Sequence, residues 1–143
     1  MARIFLDTNV LTYTVDDGSP EKQEIAKNTM DAVIATDVPV ISTQVLQEFY
    51  NASTTKLHVE KTIAKSIVHN FRNMEVVQIT PDIIEDGIDI SIAAQLSFWD
   101  GLILASAEFT NCITVLSEDL NDGQIIRGIK IINPFNPARA AHR

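Results

Sequence analysis

The chain is poor in the residues that usually staple or anchor a protein. It has one cysteine and one tryptophan among 143 residues, with five glycines and five prolines. A lone cysteine, Cys112, excludes an intrachain disulfide framework, so a hydrophobic core has to hold the fold. Cys112 stands beside an apolar run and reads as a small buried hydrophobe. Basic residues are also scarce: 11 Lys and Arg stand against 19 Asp and Glu, a formal net charge of −8. That excludes a passive nucleic-acid-binding module, whose affinity comes from Lys and Arg on phosphates. It leaves room for an enzyme that brings its acids to a metal ion, because the ion inverts the local field. It also suits a basic protein partner. No apolar run approaches the ~18 residues of a membrane span. The run Ile4-Phe5-Leu6 is broken by Asp7, where a signal peptide would continue its apolar core. The expectation is a cytoplasmic protein with no membrane contact. His58, His69 and His142 have neither metal-ligand spacing nor a paired cysteine, and no chemistry is assigned to them.

What is present is a 45% hydrophobic chain of single-domain length, with strand and helix patterns in alternation. Arg3 to Leu6 reads as a buried first strand. Ser19-Pro20-Glu21 carries the signals of a helix start: a serine N-cap, proline at the first helical position and an acid in the first turn. Val38 to Ser42 is a second strand, and Gln44 to Leu57 a helix free of Gly and Pro. Val59 to Phe71 is a further helix, with Ile63, Ile67 and Val68 expected inward. Glu75 to Ile79 is a third strand. Thr80-Pro81-Asp82 opens an acidic amphipathic helix that runs to about Leu96. Trp99 to Phe109 is a very apolar, central helix. Ile113 to Leu116 and Gly128 to Ile132 complete five strands. The alternation predicts an α/β sandwich with a mainly parallel sheet. There is no linker, repeat or low-complexity segment, and the tail Asn136 to Arg143 is expected to be loose.

In open parallel sheets, ligands bind beyond the carboxyl ends of the strands. Asp7 ends the first strand. Ser42 and Thr43 end the second, and Glu48 lies a turn and a half into the next helix. Ser117, Glu118 and Asp119 end the fourth, and Asp100 heads the apolar helix before it. Four carboxylates at one end repel: a pair about 5 Å apart costs roughly 3 kcal/mol at an effective dielectric near 20. They escape by taking up protons or by binding a cation. Oxygen ligands without Cys or His select a hard ion, Mg²⁺ or Mn²⁺, the usual arrangement for phosphoryl chemistry.

The ordered set Phe5-Leu6-Asp7-Thr8-Asn9, Ser42 to Glu48, Trp99-Asp100, Ser117-Glu118-Asp119-Leu120 and Asn133-Pro134-Phe135 resembles the PIN-domain nucleases. More specifically it looks like the VapC-type toxins of bacterial toxin–antitoxin pairs, and the resemblance covers almost the whole chain. Each piece alone is weak; the order and spacing are specific. The resemblance implies a three-layer α/β/α PIN-like fold with a mainly parallel five-stranded sheet over residues 1–135, followed by a tail at 136–143. It implies an endoribonuclease acting on single-stranded RNA with Mg²⁺ or Mn²⁺. Catalysis then falls to Asp7, Glu48, Asp100 and Asp119, with Asp7, Asp100 and Asp119 on the metal. Asn9 and Ser117 support them, and Asp122 stands as an alternative fifth acid. A cognate antitoxin and a homodimer are the implied partners.

Each of these residues has a bland reading too. Asp7 after a strand is a natural helix N-cap, unless Thr8 or Asn9 does the capping. Asp100 would be stabilised by a helix dipole without any function. Ser42 and Thr43 read as plain caps. Lys61, Lys65 and Arg72, on one side of a predicted helix, are a solvated face by default; the functional reading is a phosphate track for RNA, or the antitoxin contact. A phosphoacid hydrolase would want a second acid at position 9, which is Asn9. A receiver domain would want an Asp ending the third strand, where Val77-Gln78-Ile79 has none. A stand-alone PIN nuclease in RNA processing and a catalytically silent PIN-like protein are the remaining alternatives.

Overall fold

The structure is a computed structural model and describes residues 1–140. In chain order the elements are β1 (Arg3–Leu6), α1 (Thr8–Tyr13), α2 (Pro20–Thr36), β2 (Val38–Ser42), α3 (Thr43–Thr55), α4 (Lys61–Phe71) and β3 (Glu75–Val77). They continue with α5 (Pro81–Ala94), α6 (Phe98–Phe109), β4 (Thr114–Leu116), β5 (Ile125–Ile126), β6 (Ile129–Ile132) and α7 (Pro137–Ala140). The sheet order is β3-β2-β1-β4-β6-β5. All neighbouring pairs are parallel except β5 with β6. The fold is the expected three-layer α/β/α sandwich, but its sheet has six strands, not five. The extra strand is the two-residue β5, returned on β6 through Arg127 and Gly128 with φ of 49° and 78°. Two positive-φ residues give the tight reversal that a two-residue hairpin needs.

The core follows from the strand sequences. Parallel strands covered by helices on both faces bury side chains on both sides, so they read as continuous apolar runs. Phe5, Leu6, Val40, Ile41, Val115 and Ile131 are all fully enclosed. Helix α6 is buried along Gly101 to Ala107, which is why its sequence is apolar all round. It lies against β2, β4 and β6, and packs closely on α5. That closeness requires glycine: a Cβ on Gly101 would stand 2.4 Å from the Gly87 carbonyl oxygen. On the α1–α4 side, α3 contacts both α1 and α4.

The helix between Val59 and Phe71 begins at Lys61, and Ile63 is 53% exposed rather than inward; Ala64 and Phe71 take the buried positions, with Ile67 and Val68 partly covered. No single helix among the described residues is long and apolar enough to cross a membrane. The segment read as a tail forms the short helix α7, with Asn136 and Arg139 hydrogen-bonded to Asp122. The rest of that segment, His142 included, lies outside the described residues.

Candidate functional site

Strand order places the site. The chain builds β1, β2 and β3 outward on one side, then returns to add β4 on the other side of β1. The crevice between the carboxyl ends of β1 and β4 is therefore the topological switch point. Leu6 is paired with Leu116, so the residues that follow, Asp7 and Ser117, leave the sheet side by side. Both are buried, Asp7 at 5% and Ser117 at 0% exposure.

Asp7 carries two roles at once. Its Oδ1 accepts the Thr8 backbone N–H at 2.7 Å, making it the N-cap of the short α1. Its Oδ2 accepts the Ser117 hydroxyl at 2.7 Å and, at 3.5 Å, the Asn9 amide. Of the alternatives for this cap, Asp7 itself rather than Thr8 or Asn9 takes the role. Burial pushes the Asp7 carboxyl up to about 7 against the pull of the Ser117 and Thr8 donors, and the charges of Asp119 and Glu48 add to the rise.

Asn9 and Ser117 tie the second acid to the first. Asn9 Nδ2 donates to Asp119 Oδ2 at 3.1 Å, and Asn9 Oδ1 accepts the Glu118 N–H at 3.1 Å. Ser117 Oγ accepts the Asp119 N–H at 3.1 Å. Asp119 itself is exposed. Its neighbour Glu118 turns the other way, taking the Tyr13 hydroxyl at 2.7 Å and the Lys22 ammonium at 2.6 Å.

Glu48 comes from α3, whose first turn is set by the Ser42 hydroxyl accepting the Val45 N–H. Ser42 is therefore a plain cap, and the Thr43 hydroxyl accepts the Ile79 N–H. Glu48 Oε1 takes the Thr8 hydroxyl at 2.7 Å and Oε2 the Gln44 amide at 3.5 Å. Gln44 also donates to the Trp99 carbonyl at 3.2 Å, linking α3 to the start of α6 where Asp100 sits. Ser97 caps that start by accepting the Asp100 N–H at 3.1 Å. Partial burial raises the Asp100 carboxyl, helped by the charges of Asp119 and Glu48 and opposed by Ser97. The four acids expected at one end of the sheet are thus brought into one electrostatic neighbourhood.

Asp122 is placed elsewhere. It accepts the Asn133 N–H at 3.0 Å, the Asn136 amide at 2.7 Å and three contacts from the Arg139 guanidinium. Arg139 holds its carboxyl down to about 2. Lys61, Lys65 and Arg72 are exposed on or just after α4 and line no part of the acidic cleft.

That cleft, about 450 Å³, lies between α1 and α3 and is walled by Thr8, Asn9, Tyr13, Glu48, Asn51, Lys56 and Asp119 among others. Sequence reading missed three contributors. Thr8 binds Glu48, Gln44 bridges two helices, and Lys56 is the cleft's single lysine. Gln44 is the one with a signal of its own: a long amide at 4% exposure, whose Oε1 finds no hydrogen-bond partner.

The donor set fits a hard cation in kind. It is made of carboxylate, hydroxyl and amide oxygens, one buried acceptor is unpaired, and two carboxyls are raised by burial and by like charge. As the side chains lie, no group of three or more His, Cys, Asp or Glu among the described residues is arranged to hold a metal ion. Asn9 stands between Asp7 and Asp119 and donates to both, while Thr8 and Gln44 each donate to Glu48.

Among curated protein sequences none matches this chain. Solved structures do. A toxin–antitoxin complex from Klebsiella pneumoniae is 21% identical with TM-score 0.69, over 92% of this chain and 98% of that one. VapBC2 from Rickettsia felis, bound to a DNA fragment from its promoter, is 19% identical with TM-score 0.66, over 92% and 98%. VapC20 from Mycobacterium tuberculosis, a sarcin-ricin loop cleaving toxin, is 18% identical with TM-score 0.64, over 81% and 89%. At those identities the likeness is one of fold. The PIN domain family model matches residues 4–122, which with the fold and the acids at the switch point means that this chain belongs to the PIN-domain family.

Proposed function

We propose that the protein is a Mg²⁺- or Mn²⁺-dependent endoribonuclease acting on single-stranded RNA, and that it is the toxin of a toxin–antitoxin pair. The observation that carries the nuclease reading is the gathering of acids around buried Asp7 at the switch point, where Ser117 and Asn9 tie it to Asp119 and its carboxyl is pushed up to about 7. Asp122, by contrast, is paired with Arg139. Toxin function rests on the folds of the Klebsiella and Rickettsia complexes and of VapC20.

In this reading Asp7, Asp100 and Asp119 hold the ion, and Glu48 faces the cleft from α3. A bound divalent ion lowers the pKa of a coordinated water and stabilises charge on the phosphate. The chain's own residues prepare for that. Ser117 fixes Asp7 Oδ2, while Asn9 holds Asp119 beside it. Thr8 and Gln44 orient Glu48 toward the cleft, where it can take a proton from an attacking water. Support of this kind around metal-binding carboxylates typically matters 10–100-fold in affinity or activity. The acidic exterior, net −8, suits a basic antitoxin surface and leaves RNA affinity to a small number of local contacts. A homodimer belongs to the same reading.

The test is cleavage of single-stranded RNA by purified protein with Mg²⁺ or Mn²⁺ and with excess chelator. Cleavage that needs the ion and disappears in Asp7→Asn supports the proposal; cleavage that persists in chelator removes the mechanism. Growth arrest of a bacterial host on expression, relieved in Asp7→Asn, supports the toxin role. Unimpaired growth at high soluble levels favours the stand-alone nuclease.

A further inference from the structure

The cleft does not stop at the acids. An adjoining trough of about 350 Å³ shares Asp16, Lys56 and Leu57 with it and continues to His58 and Val59. The two adjoin at these residues, with Glu48 and Asp119 lining the first and His58 the second. Lys56 stands where they meet and is the only Lys or Arg lining either part.

We infer that Lys56 binds a phosphate of single-stranded RNA laid along this groove, a different phosphate from the one cleaved among the acids. The inference rests on the nuclease reading above and names how that site would hold its substrate.

Three observations carry it. First, Lys56 is uncommitted. Arg3, Lys22, Arg127 and Arg139 are each paired with a carboxylate, whereas exposed Lys56 enters no ion pair among the described residues. Of the unpaired cations, it alone faces the groove. Second, its place is fixed. Its N–H donates to the Ala52 carbonyl at 2.9 Å as the C-cap of α3, and the chain beyond is tied back by the Val59 N–H on the Ser53 carbonyl. Third, the spacing is right. From Glu48 to Lys56 the helix advances about 12 Å at 1.5 Å per residue, so the two line the cleft two turns apart.

The occupant at this point is the RNA of the nuclease reading, and it has to pass acids. Asp16 and Asp17 line the trough with their carboxylates turned to Gly18 N–H and the Gln23 amide. A polyanion crossing these acids needs a cation on the wall, and Lys56 supplies it.

The experiment compares Lys56→Ala, Lys56→Arg and Lys65→Ala with the unaltered protein on a long single-stranded RNA that it cleaves in Mg²⁺ or Mn²⁺. Lys56→Ala is expected to raise KM about fivefold to tenfold with kcat little changed, and to flatten the salt dependence of RNA binding by about 0.7 in log–log slope, the loss of one single-strand phosphate contact. Lys56→Arg should restore most of both. Binding of a labelled oligoribonucleotide to the Asp7→Asn protein should lose affinity to the same extent when Lys56→Ala is added. An unchanged KM and salt slope in Lys56→Ala, while unaltered protein cleaves normally, overturns the inference and leaves the nuclease reading standing. So does a larger effect in Lys65→Ala, which would move the RNA path to α4. No cleavage of any RNA by unaltered protein removes the reading and this inference with it.

Discussion

Asp7 and Asp122 are both carboxylates set close to the β4 end of the sheet, and the protein treats them in opposite ways. Asp122 is clamped by Arg139, Asn136 and the Asn133 N–H, and held down to about 2. Asp7 is buried among neutral donors and other acids, and pushed up to about 7. One acid has its counter-charge built into the chain, on the short α7. The other has neutral donors and like charges around it and, among the described residues, no ion pair. The contrast separates an acid whose charge the fold satisfies itself from one that the proposed mechanism leaves to a cation, and it does so by the groups brought to each, not by position after a strand.

Breaking the functional half of that comparison has the largest expected effect. Asp7→Asn and Asp100→Asn should each lower RNA cleavage by about a thousandfold or more, roughly 4 kcal/mol of transition-state stabilisation, with Glu48→Gln close behind. Circular dichroism should report an intact fold. Asp122→Asn should keep most of the activity; loss as deep as that of Asp7→Asn would place Asp122 in the site after all.

Next comes pH. The folded pKa of Asp7, about 7, lies above the ordinary aspartate value of 3.8, so the folded state holds a proton that the unfolded chain has released. That contribution to stability is full below about pH 4 and is lost as pH rises through about 7. In chelator, the stability of the unaltered protein relative to Asp7→Asn should therefore fall across that window by a few kcal/mol, measured by urea unfolding. No relative change between pH 4 and pH 8 would contradict the burial account.

Smaller still is the scaffold. Gly101→Ala puts a methyl against the Gly87 carbonyl and Ser91, so α5 and α6 must part. A loss of about 2 kcal/mol is expected, with reduced activity because Asp100 is the preceding residue. Arg139→Ala releases the Asp122 clamp. Both side chains are partly exposed, at 35% and 19%, so the cost should be about 1 kcal/mol, or a few degrees in Tm. Activity should fall only modestly; a deep loss would mean that the clamp also governs Asp119.

The comparison also explains what was legible beforehand. The acids were legible because parallel strands bring their carboxyl ends to one edge, and Asp7, Ser117 and Asp119 follow β1 and β4 directly. Glu48 was legible through helical spacing from Ser42. Helix α1 was not, being six residues long and without a strong periodic pattern. Strand β5 was not, because two residues carry no alternation and the Arg127-Gly128 turn lacks the usual Asn-Gly signal. The Asp122 clamp depends on Arg139, seventeen positions away in a segment that read as a loose tail. Lys56 looked like the ordinary end of a helix; only the groove between α1 and α3 makes it distinctive.

The central claim is that the cluster around Asp7 is built for a divalent cation. Calorimetric titration of Mn²⁺ into the metal-free protein at pH 7 tests it most directly, with Asp7→Asn as the comparison. The account predicts binding to the unaltered protein with proton release, and its loss in Asp7→Asn. Equal binding by the two proteins, or none by either, would contradict it.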